Sequence, residues 1–359
     1  MTSLRIYASA LIAALAAACS ASVAGADFAD VLDSPAQISP LASKGLLQAV
    51  VKAGSRLVAV GQRGHIVIST DGGASWRQSP VPVSSDLTSV FFVDASEGWA
   101  VGHDGVILHS HDGGDSWEVQ LTGRSANELL VWAMKRKVVA EPNSDDAKKL
   151  LAEAMRYQEQ GADKPFLDVW FADPRIGYAV GAYNLIFRTS DGGKHWEAWF
   201  DRTENPKFFN LYAIRPAGNS LYIAGEGGLV LKLDAAGQRF RAVATPYDGS
   251  FFGVADAGTS ALLFGLRGNV YGSNDGGATW SKVDAGLAAS VVAATRSADG
   301  AVLLADAGGR VSSSTDGGRT FTKVTLKQSV PVTGLVEIGE ARLVLVGPRG
   351  ATVAEIASR

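Results

Sequence analysis

The chain has 359 residues, 47% of them hydrophobic, and a formal net charge of -3. This near-balanced charge argues against a general nucleic-acid-binding protein, because such proteins carry a clear excess of lysine and arginine. The only cysteine is Cys19, which excludes an intrachain disulfide, and the 41 glycines indicate many tight turns.

Residues 1–26 have the pattern of a secretory signal sequence. Arg5 precedes the apolar run IYASALIAALAAA, and the small-residue motif AGA stands before Asp27. We therefore expect export to the periplasm. An alternative is a lipoprotein acylated on Cys19, although Ala16 is a poor residue three places before it. No later segment is long and apolar enough to cross a membrane.

One phrase of ten residues recurs seven times along the rest of the chain. It reads VGQRGHIVIS at 60–69, and its copies start at 60, 101, 180, 224, 264, 305 and 346. The number of residues between most successive copies is enough for one four-stranded sheet per repeat and leaves no room for a crossover helix. The sequence thus predicts an all-β, seven-bladed β-propeller over residues 27–359. Because the seventh copy stops after its third strand, we expect the segment 27–41 to close the last blade.

The strands of one repeat follow from its apolar pattern and its turns. In the second repeat they are predicted at 87–94, 98–102, 106–110 and 116–120, running outward from the propeller axis. The turn between the third and fourth strands is then Asp-Gly-Gly, which recurs five times as the Asp box typical of BNR-like repeats.

The Asp-box residues are predicted to be structural. The aspartate can accept hydrogen bonds from its own turn, the glycines adopt positive φ, and the following aromatic packs between blades. A calcium loop is the rival interpretation, but five copies on separate blades cannot form one site, and further oxygen ligands are missing. The residues concerned are Asp71, Trp76, Asp112, Trp117, Asp191, Trp196, Asp275, Trp280, Asp316 and Phe321.

Residues 123–165 interrupt the repeats between blades 2 and 3. A capping box beginning at Ser125 predicts one helix, and Ser144 predicts the cap of a second, so a helical hairpin is expected. Met134 and Met155 both lie here, and such adaptable side chains can mark a surface that binds a partner. The alternative is that the two helices pack on each other and on the propeller.

No catalytic or metal-binding set can be named from the sequence. A sialidase-like or other sugar-cleaving or sugar-binding propeller is the alternative function, and Asp104 is the only acid at its loop position. His109 and His111 share a strand face with His103 nearby, but a zinc site needs a third well-placed ligand. We therefore expect a protein that is not an enzyme and has no metal or cofactor.

Arginines recur in the predicted turns between second and third strands. Arg63, Arg267 and Arg349 lie within these turns, and Arg310 directly follows one. They belong to blades 1, 5, 7 and 6, which become neighbours once the ring closes, and the insertion 123–165 rises from the same face. This face is predicted to bind an acidic segment of a partner, with Met134 and Met155 supplying apolar contact. The alternative is that these arginines simply extend into water.

The stretch GWAVGHDGVILHSHDGGDSW and its relatives resemble the photosystem II stability and assembly factor family of plastids and cyanobacteria. The resemblance covers the repeats from about residue 45 to the end. It implies a non-enzymatic, seven-bladed propeller that binds a newly made reaction-centre subunit through an arginine-rich patch and assists assembly of a membrane complex. It also implies a membrane-protein partner and, in a photosynthetic organism, a location in the thylakoid lumen. We expect a monomer without a membrane span. The helical insertion departs from the plastid pattern.

Overall fold

The computed structural model describes residues 29–339 and 341–357. The chain divides into a first unit, Met1–Asp30, and a second unit, Val31–Arg359, which contains the propeller. The predicted signal sequence 1–26, with Cys19, lies outside the described residues.

Seven antiparallel sheets follow one another along the second unit, and within each sheet the strand order equals the chain order. Strands are most often four to six residues long because glycine-containing turns end them. Blades 1 to 3 comprise β1 Leu47–Ala53, β2 Arg56–Gly61, β3 Ile66–Ser69, β4 Arg77–Gln78, β5 Leu87–Phe92, β6 Gly98–Gly102, β7 Ile107–Ser110, β8 Glu118–Leu121, β9 Phe166–Phe171, β10 Gly177–Gly181, β11 Ile186–Thr189 and β12 Glu197–Ala198.

The remaining blades repeat this arrangement. Blades 4 to 7 comprise β13 Leu211–Ala217, β14 Ser220–Gly225, β15 Val230–Leu233, β16 Phe240–Ala242, β17 Phe251–Asp256, β18 Ala261–Gly265, β19 Val270–Ser273, β20 Ser281–Val283, β21 Val291–Arg296, β22 Val302–Asp306, β23 Val311–Ser314, β24 Thr322–Val324, β25 Gly334–Glu337, β26 Arg342–Gly347 and β27 Gly350–Glu355. The first strands of successive blades contact each other, and β25 returns to β1, so the ring is closed. The predicted seven-bladed propeller is confirmed.

The last blade is closed differently from our expectation. Its sheet has three strands within the described part of the chain, and residues 29–41 add none to it. Residues 31–41 instead lie along blade 1 and the connection that follows it, where Ala36 N donates to the Val81 carbonyl at 3.0 Å. Residues 325–327 cover the outer edge of β27, since Lys327 N donates to the Glu355 carbonyl at 3.0 Å. That edge is therefore already partly paired.

The insertion forms two helices, α1 Gly123–Ala140 and α2 Asp145–Gln160, as predicted. The first begins earlier than the sequence suggested, because Thr122 is its N-cap and Ser125 completes the capping box. Ser144 caps α2 through the amide of Ala147, as expected. Asn127 joins the two helices by donating to the Gly161 carbonyl at 2.8 Å.

Large apolar side chains fill the spaces between neighbouring blades. Between blades 2 and 3, Trp99 stacks on Phe171 with their ring centroids 3.5 Å apart. The same cluster includes Leu130 and Tyr157 of the hairpin, both fully buried. The insertion therefore shares a core with the propeller, which the apolar stripe of α2 requires.

Candidate functional site

The carboxylates of the Asp boxes are engaged within their own turns. In the first box, Asp71 Oδ1 accepts from the Ser75 amide at 2.9 Å and from Ser69 Oγ at 2.8 Å. Its other oxygen accepts from Ser75 Oγ at 2.5 Å. A serine, threonine or histidine supplies the equivalent bonds at Asp112, Asp191, Asp275 and Asp316. These oxygens hold the turn and are not available as a shared ligand set.

The Asp-box aromatics pack against the preceding blade to different depths. Trp117, Trp196 and Trp280 are buried, whereas Trp76 and Phe321 are only partly buried. Trp196 meets Phe171 edge to face, with their ring centroids 6.0 Å apart. Trp76 lies in the core between blades 7 and 1, and Phe321 lies in the core between blades 5 and 6.

The Asp boxes predict a specific loss of stability in acid. Hydrogen bonding from the Ser75 hydroxyl lowers the pKa of Asp71 from 3.8 to about 2, and that from Thr279 likewise lowers the pKa of Asp275. Because the folded-state pKa values lie below the unfolded one, this stabilisation is present above about pH 4 and is lost as pH falls through about 2. The urea midpoint of the wild type should therefore fall between about pH 4 and about pH 2. In the double variant Asp71→Asn with Asp275→Asn, we expect this fall to be smaller.

The control for that measurement is Asp145→Asn, because the Asp145 side chain is fully exposed at the start of α2. This variant should show the wild-type dependence of the urea midpoint on pH. An unchanged dependence in the Asp71 and Asp275 double variant would contradict the assignment of acid sensitivity to the Asp boxes.

Alternation of strand direction gives the ring two different faces. One end of the ring carries the turns between second and third strands and the connections between blades. We call this end the upper face. The lower face carries the Asp-box turns and the turns between first and second strands. In blade 1 the upper turn is a two-residue hairpin of type I′, with Arg63 at φ 56° and Gly64 at φ 70°.

Three arginines of the upper face have free guanidinium groups. Arg63, Arg267 and Arg349 are exposed, and no carboxylate within residues 29–339 and 341–357 pairs with their side chains. Arg267, at φ 58°, repeats the left-handed conformation of Arg63. This conformation favours glycine, so an arginine at the tip of the turn is held there at a cost to stability.

Arg310 differs from the other three. Its guanidinium Nε lies 3.0 Å from the fully buried Asp306 carboxylate of its own turn. The turn of blade 6 also has a different form, because Gly309 has φ 87° and its amide donates to the Asp306 carbonyl. Arg310 thus stabilises its own blade, and the free positive charge comes from blades 7, 1 and 5.

The helical hairpin lies on the upper face, as its position in the chain predicted. Tyr157 Oη of α2 donates to the Tyr183 carbonyl in the upper turn of blade 3, at 3.0 Å. Lys149 Nζ donates to the Pro206 carbonyl at 3.0 Å, in the connection between blades 3 and 4. The hairpin is therefore attached to this face on both sides of blade 3.

The two methionines do not form one surface. Met134 is 2% exposed within the core shared with blade 3, so it is not available to a partner, and that prediction was wrong. Met155 is exposed. Sequence reasoning missed Trp132 and Val139 of α1, whose side chains are 58% and 82% exposed and whose spacing of seven residues places them on one helix face. That spacing was the available signal.

The different positions of the methionines can be tested by truncation. Met134→Ala should lower the free energy of unfolding by about 2–5 kcal/mol, because it leaves a cavity beneath α1. Met155→Ala is the matched control and should change it by less than about 0.5 kcal/mol. Urea unfolding of both variants measures the difference, and equal midpoints would contradict the burial of Met134.

The two arginines of the central channel are engaged in ion pairs. The channel encloses about 460 Å³ and is lined by the first strands of all seven blades. Its arginines are both paired, Arg215 with Asp168 at 2.6 Å and Arg296 with Asp256 at 3.0 Å. Asp168 also accepts from Ser89 Oγ at 2.7 Å and from the Ile214 amide. Asp104 lies in an upper-face turn and does not line this channel.

The three histidines considered as a zinc set separate into two places. His103 is in the upper turn of blade 2, at the opposite end of β7 from His109 and His111. His109 is buried, and burial lowers the pKa of its imidazole. Instead of His103, Glu97 lies beside the other two.

Within the described residues no helix is both long and apolar enough to span a membrane. The closed ring and its repeated Asp-box turns define a seven-bladed β-propeller of the BNR type. The family model described as "Photosynthesis system II assembly factor YCF48" matches residues 45–138 and 148–314. The chain belongs to this family. Residues 139–147, which separate the two matched segments, are at the tip of the hairpin.

A curated relative is the photosystem II assembly lipoprotein Ycf48 of Synechococcus sp. strain CC9902. It is 34% identical over 137 residues, which cover 37% of this chain and 41% of that protein. The match thus spans about two fifths of the relative's length.

Solved structures with the same fold include two propellers of this family. One is described as YCF48 bound to D1 peptide, with a TM-score of 0.63, 14% identity and coverage of 90% of this chain and 96% of that one. YCF48 from Cyanidioschyzon merolae has a TM-score of 0.57 and 18% identity, covering 89% and 98%. The WD40 propeller domain of Doa1 has a TM-score of 0.59 and 10% identity, covering 91% and 96%. At these identities the likeness shows the fold.

Proposed function

We propose that this chain is an exported, non-catalytic scaffold that binds a soluble-facing segment of a membrane protein and assists assembly of a membrane complex. Membership of the assembly-factor family is the observation that carries the proposal. The name of the cyanobacterial relative adds support, since it describes an assembly lipoprotein, and one related propeller is described as bound to a D1 peptide.

The proposed binding surface is the arginine side of the upper face. The guanidinium groups of Arg63, Arg267 and Arg349 are exposed and form no ion pair with a carboxylate of the described residues. Unpaired guanidinium groups attract and orient carboxylates in particular, because each can form two parallel hydrogen bonds. The occupant is therefore an acidic peptide segment of the membrane protein.

On the blade 3 side of the same upper face, the hairpin is proposed to supply apolar contact to the bound segment. Trp132 and Val139 of α1 are exposed, and the Arg136 guanidinium lies 4.6 Å from the centroid of the Trp132 ring. An aromatic side chain beside an arginine is a frequent combination at binding hot spots. These residues and Met155 replace the buried Met134 in the proposed contact.

The absence of catalysis is part of the proposal. The Asp-box carboxylates hold turns, and both arginines of the channel are paired. A panel of glycosides and sialosides should give no turnover. If the wild type cleaved one of these sugars and Asp104→Asn did not, the sugar-cleaving alternative would be correct and the scaffold proposal wrong.

The proposed partner can be identified by crosslinking the mature chain to native membranes and recovering it under denaturing conditions. We expect one membrane protein to be enriched, crosslinked through an acidic segment outside the bilayer. An unrelated exported propeller serves as the control. If this chain recovered only soluble proteins, and the control enriched them equally, the proposal would be contradicted.

Export is tested on the full chain by fractionation. The processed protein should be found in the periplasm or lumen, and Cys19→Ala should leave its distribution unchanged if cleavage follows Ala26. If the wild type were attached to the membrane and Cys19→Ala were not, the protein would instead be a lipoprotein acylated on Cys19.

A further inference from the structure

Three ligating side chains converge at the lower face of blade 2. Glu97 lies in the turn between β5 and β6, and His109 and His111 lie at the end of β7 and just beyond it. One ligand atom from each of the three lies within 4.8 Å of the others. The turn brings Glu97 beside residues that follow it by twelve and fourteen positions.

Both imidazoles point a nitrogen at the same carboxylate. His109 Nε2 is 3.0 Å from Glu97 Oε2, and His111 Nδ1 is 3.1 Å from the same oxygen. Ligands held about 2.0–2.2 Å from a tetrahedral ion are about 3.3–3.6 Å apart. The two separations between histidine and Glu97 require only a small expansion to admit an ion, and the third separation, between the histidine nitrogens, is within 4.8 Å.

The surroundings of His109 hold its ring in place. The ring is 4% exposed and is stacked on Trp99, with their ring centroids 4.6 Å apart and an angle of 11° between the planes. Its Nδ1 atom is buried and has no hydrogen-bond partner. This nitrogen faces away from Glu97, so a carboxylate on that side could accept its N–H when Nε2 binds an ion.

Glu118 on β8 approaches from the other side of the two rings. Its Oε1 atom lies 3.6 Å from His109 Nδ1 and 3.6 Å from His111 Nε2, the nitrogens that do not face Glu97. Histidines that bind metals commonly donate their second ring N–H to a carboxylate, which sets the tautomer. Glu118 stands where a small rotation of its side chain would supply that bond.

We propose that Glu97, His109 and His111 bind a divalent transition-metal ion of the zinc type, with Glu118 as a positioning residue. Two imidazoles and one carboxylate are the donors that such ions prefer, whereas Ca²⁺ and Mg²⁺ prefer sites made of oxygen alone. Three protein ligands leave a coordination position for water. This site is on the lower face, away from the proposed partner surface.

The test is titration of the tag-free mature protein, stripped of metal, with Zn²⁺ in a calorimeter. We expect one equivalent to bind and the melting temperature to rise, while Mg²⁺ does neither. Co²⁺ should give the visible absorption of a tetrahedral complex. Sub-stoichiometric or absent Zn²⁺ binding by the wild type would overturn the proposal.

The variants locate the ion. His111→Ala and Glu97→Gln are preferred to changes of buried His109, which can disturb folding, and each should weaken Zn²⁺ binding at least about tenfold. His195→Ala is the matched control, because His195 is an exposed lower-face histidine bonded to Asp191. Unchanged affinity in His111→Ala would place the ion elsewhere and overturn the assignment. Crosslinking to the membrane partner should be the same in all three variants, so the two proposals fail independently.

Discussion

Trp196→Ala is expected to lower the free energy of unfolding by about 3–5 kcal/mol. The indole is 4% exposed between blades 2 and 3, in the same cluster as Trp99 and Phe171. Truncation removes its edge-to-face contact with Phe171 and leaves a cavity that two rigid sheets cannot fill by moving together. Urea unfolding followed by far-ultraviolet circular dichroism measures the loss.

Two other tryptophans serve as controls for this effect. Trp132→Ala removes an indole that is 58% exposed on the hairpin, so its effect should remain within about 0.5 kcal/mol. Trp76→Ala should fall between the two, because Trp76 is only partly buried. If Trp196→Ala unfolded at the wild-type midpoint but lost the crosslinked partner, the Asp-box aromatic would be a binding residue and the structural assignment would be wrong.

Reversing the charge of Arg63, Arg267 and Arg349 together to glutamate should reduce recovery of the membrane partner at least about tenfold, or ~1.4 kcal/mol. The change replaces three unpaired guanidinium groups with carboxylates that repel an acidic segment. Recovery by the wild type should also fall as salt rises, because exposed charges are screened. The measurement is quantitative crosslinking on variants whose melting temperature matches the wild type.

The matched control moves the same charge to the other face. Arg175, Lys194 and Arg319 are exposed at lower-face turns, and their replacement by glutamate changes the net charge equally. This control should recover the partner as the wild type does. Equal losses in both triple variants would show that only overall charge matters, and the upper face would no longer be the proposed binding surface.

Much of the propeller was predictable because its information is local. In blade 2 the predicted strands at 87–94, 98–102, 106–110 and 116–120 match the observed strands β5 to β8 within two residues at each end. Apolar alternation ends at glycine turns that are visible in the sequence, and the same signals recur in every repeat. The Asp-box hydrogen bonds join residues four apart or fewer, so they also follow from local sequence.

The hairpin shows where local signals become insufficient. Apolar periodicity predicted both helices, but it could not distinguish Met134, which is buried, from Met155, which is exposed. Which side of a helix meets the propeller depends on how the connection at Thr122 directs the chain. The same limit explains the closing segment, since residues 325–327 cover β27 through contacts that no repeat pattern records.

By itself, the sequence determined the number of blades, the strand order and the faces on which the turns emerge, because these depend on the repeat length and on short turns. Tertiary structure alone decided which arginines are free, since Arg310 is paired with a buried carboxylate that lies below its own turn. It also decided that Glu97 joins His109 and His111, because a hairpin register places residues side by side that are twelve and fourteen positions apart. Whether these three side chains meet depends on where the backbone turns back, and the residue types alone do not specify that position.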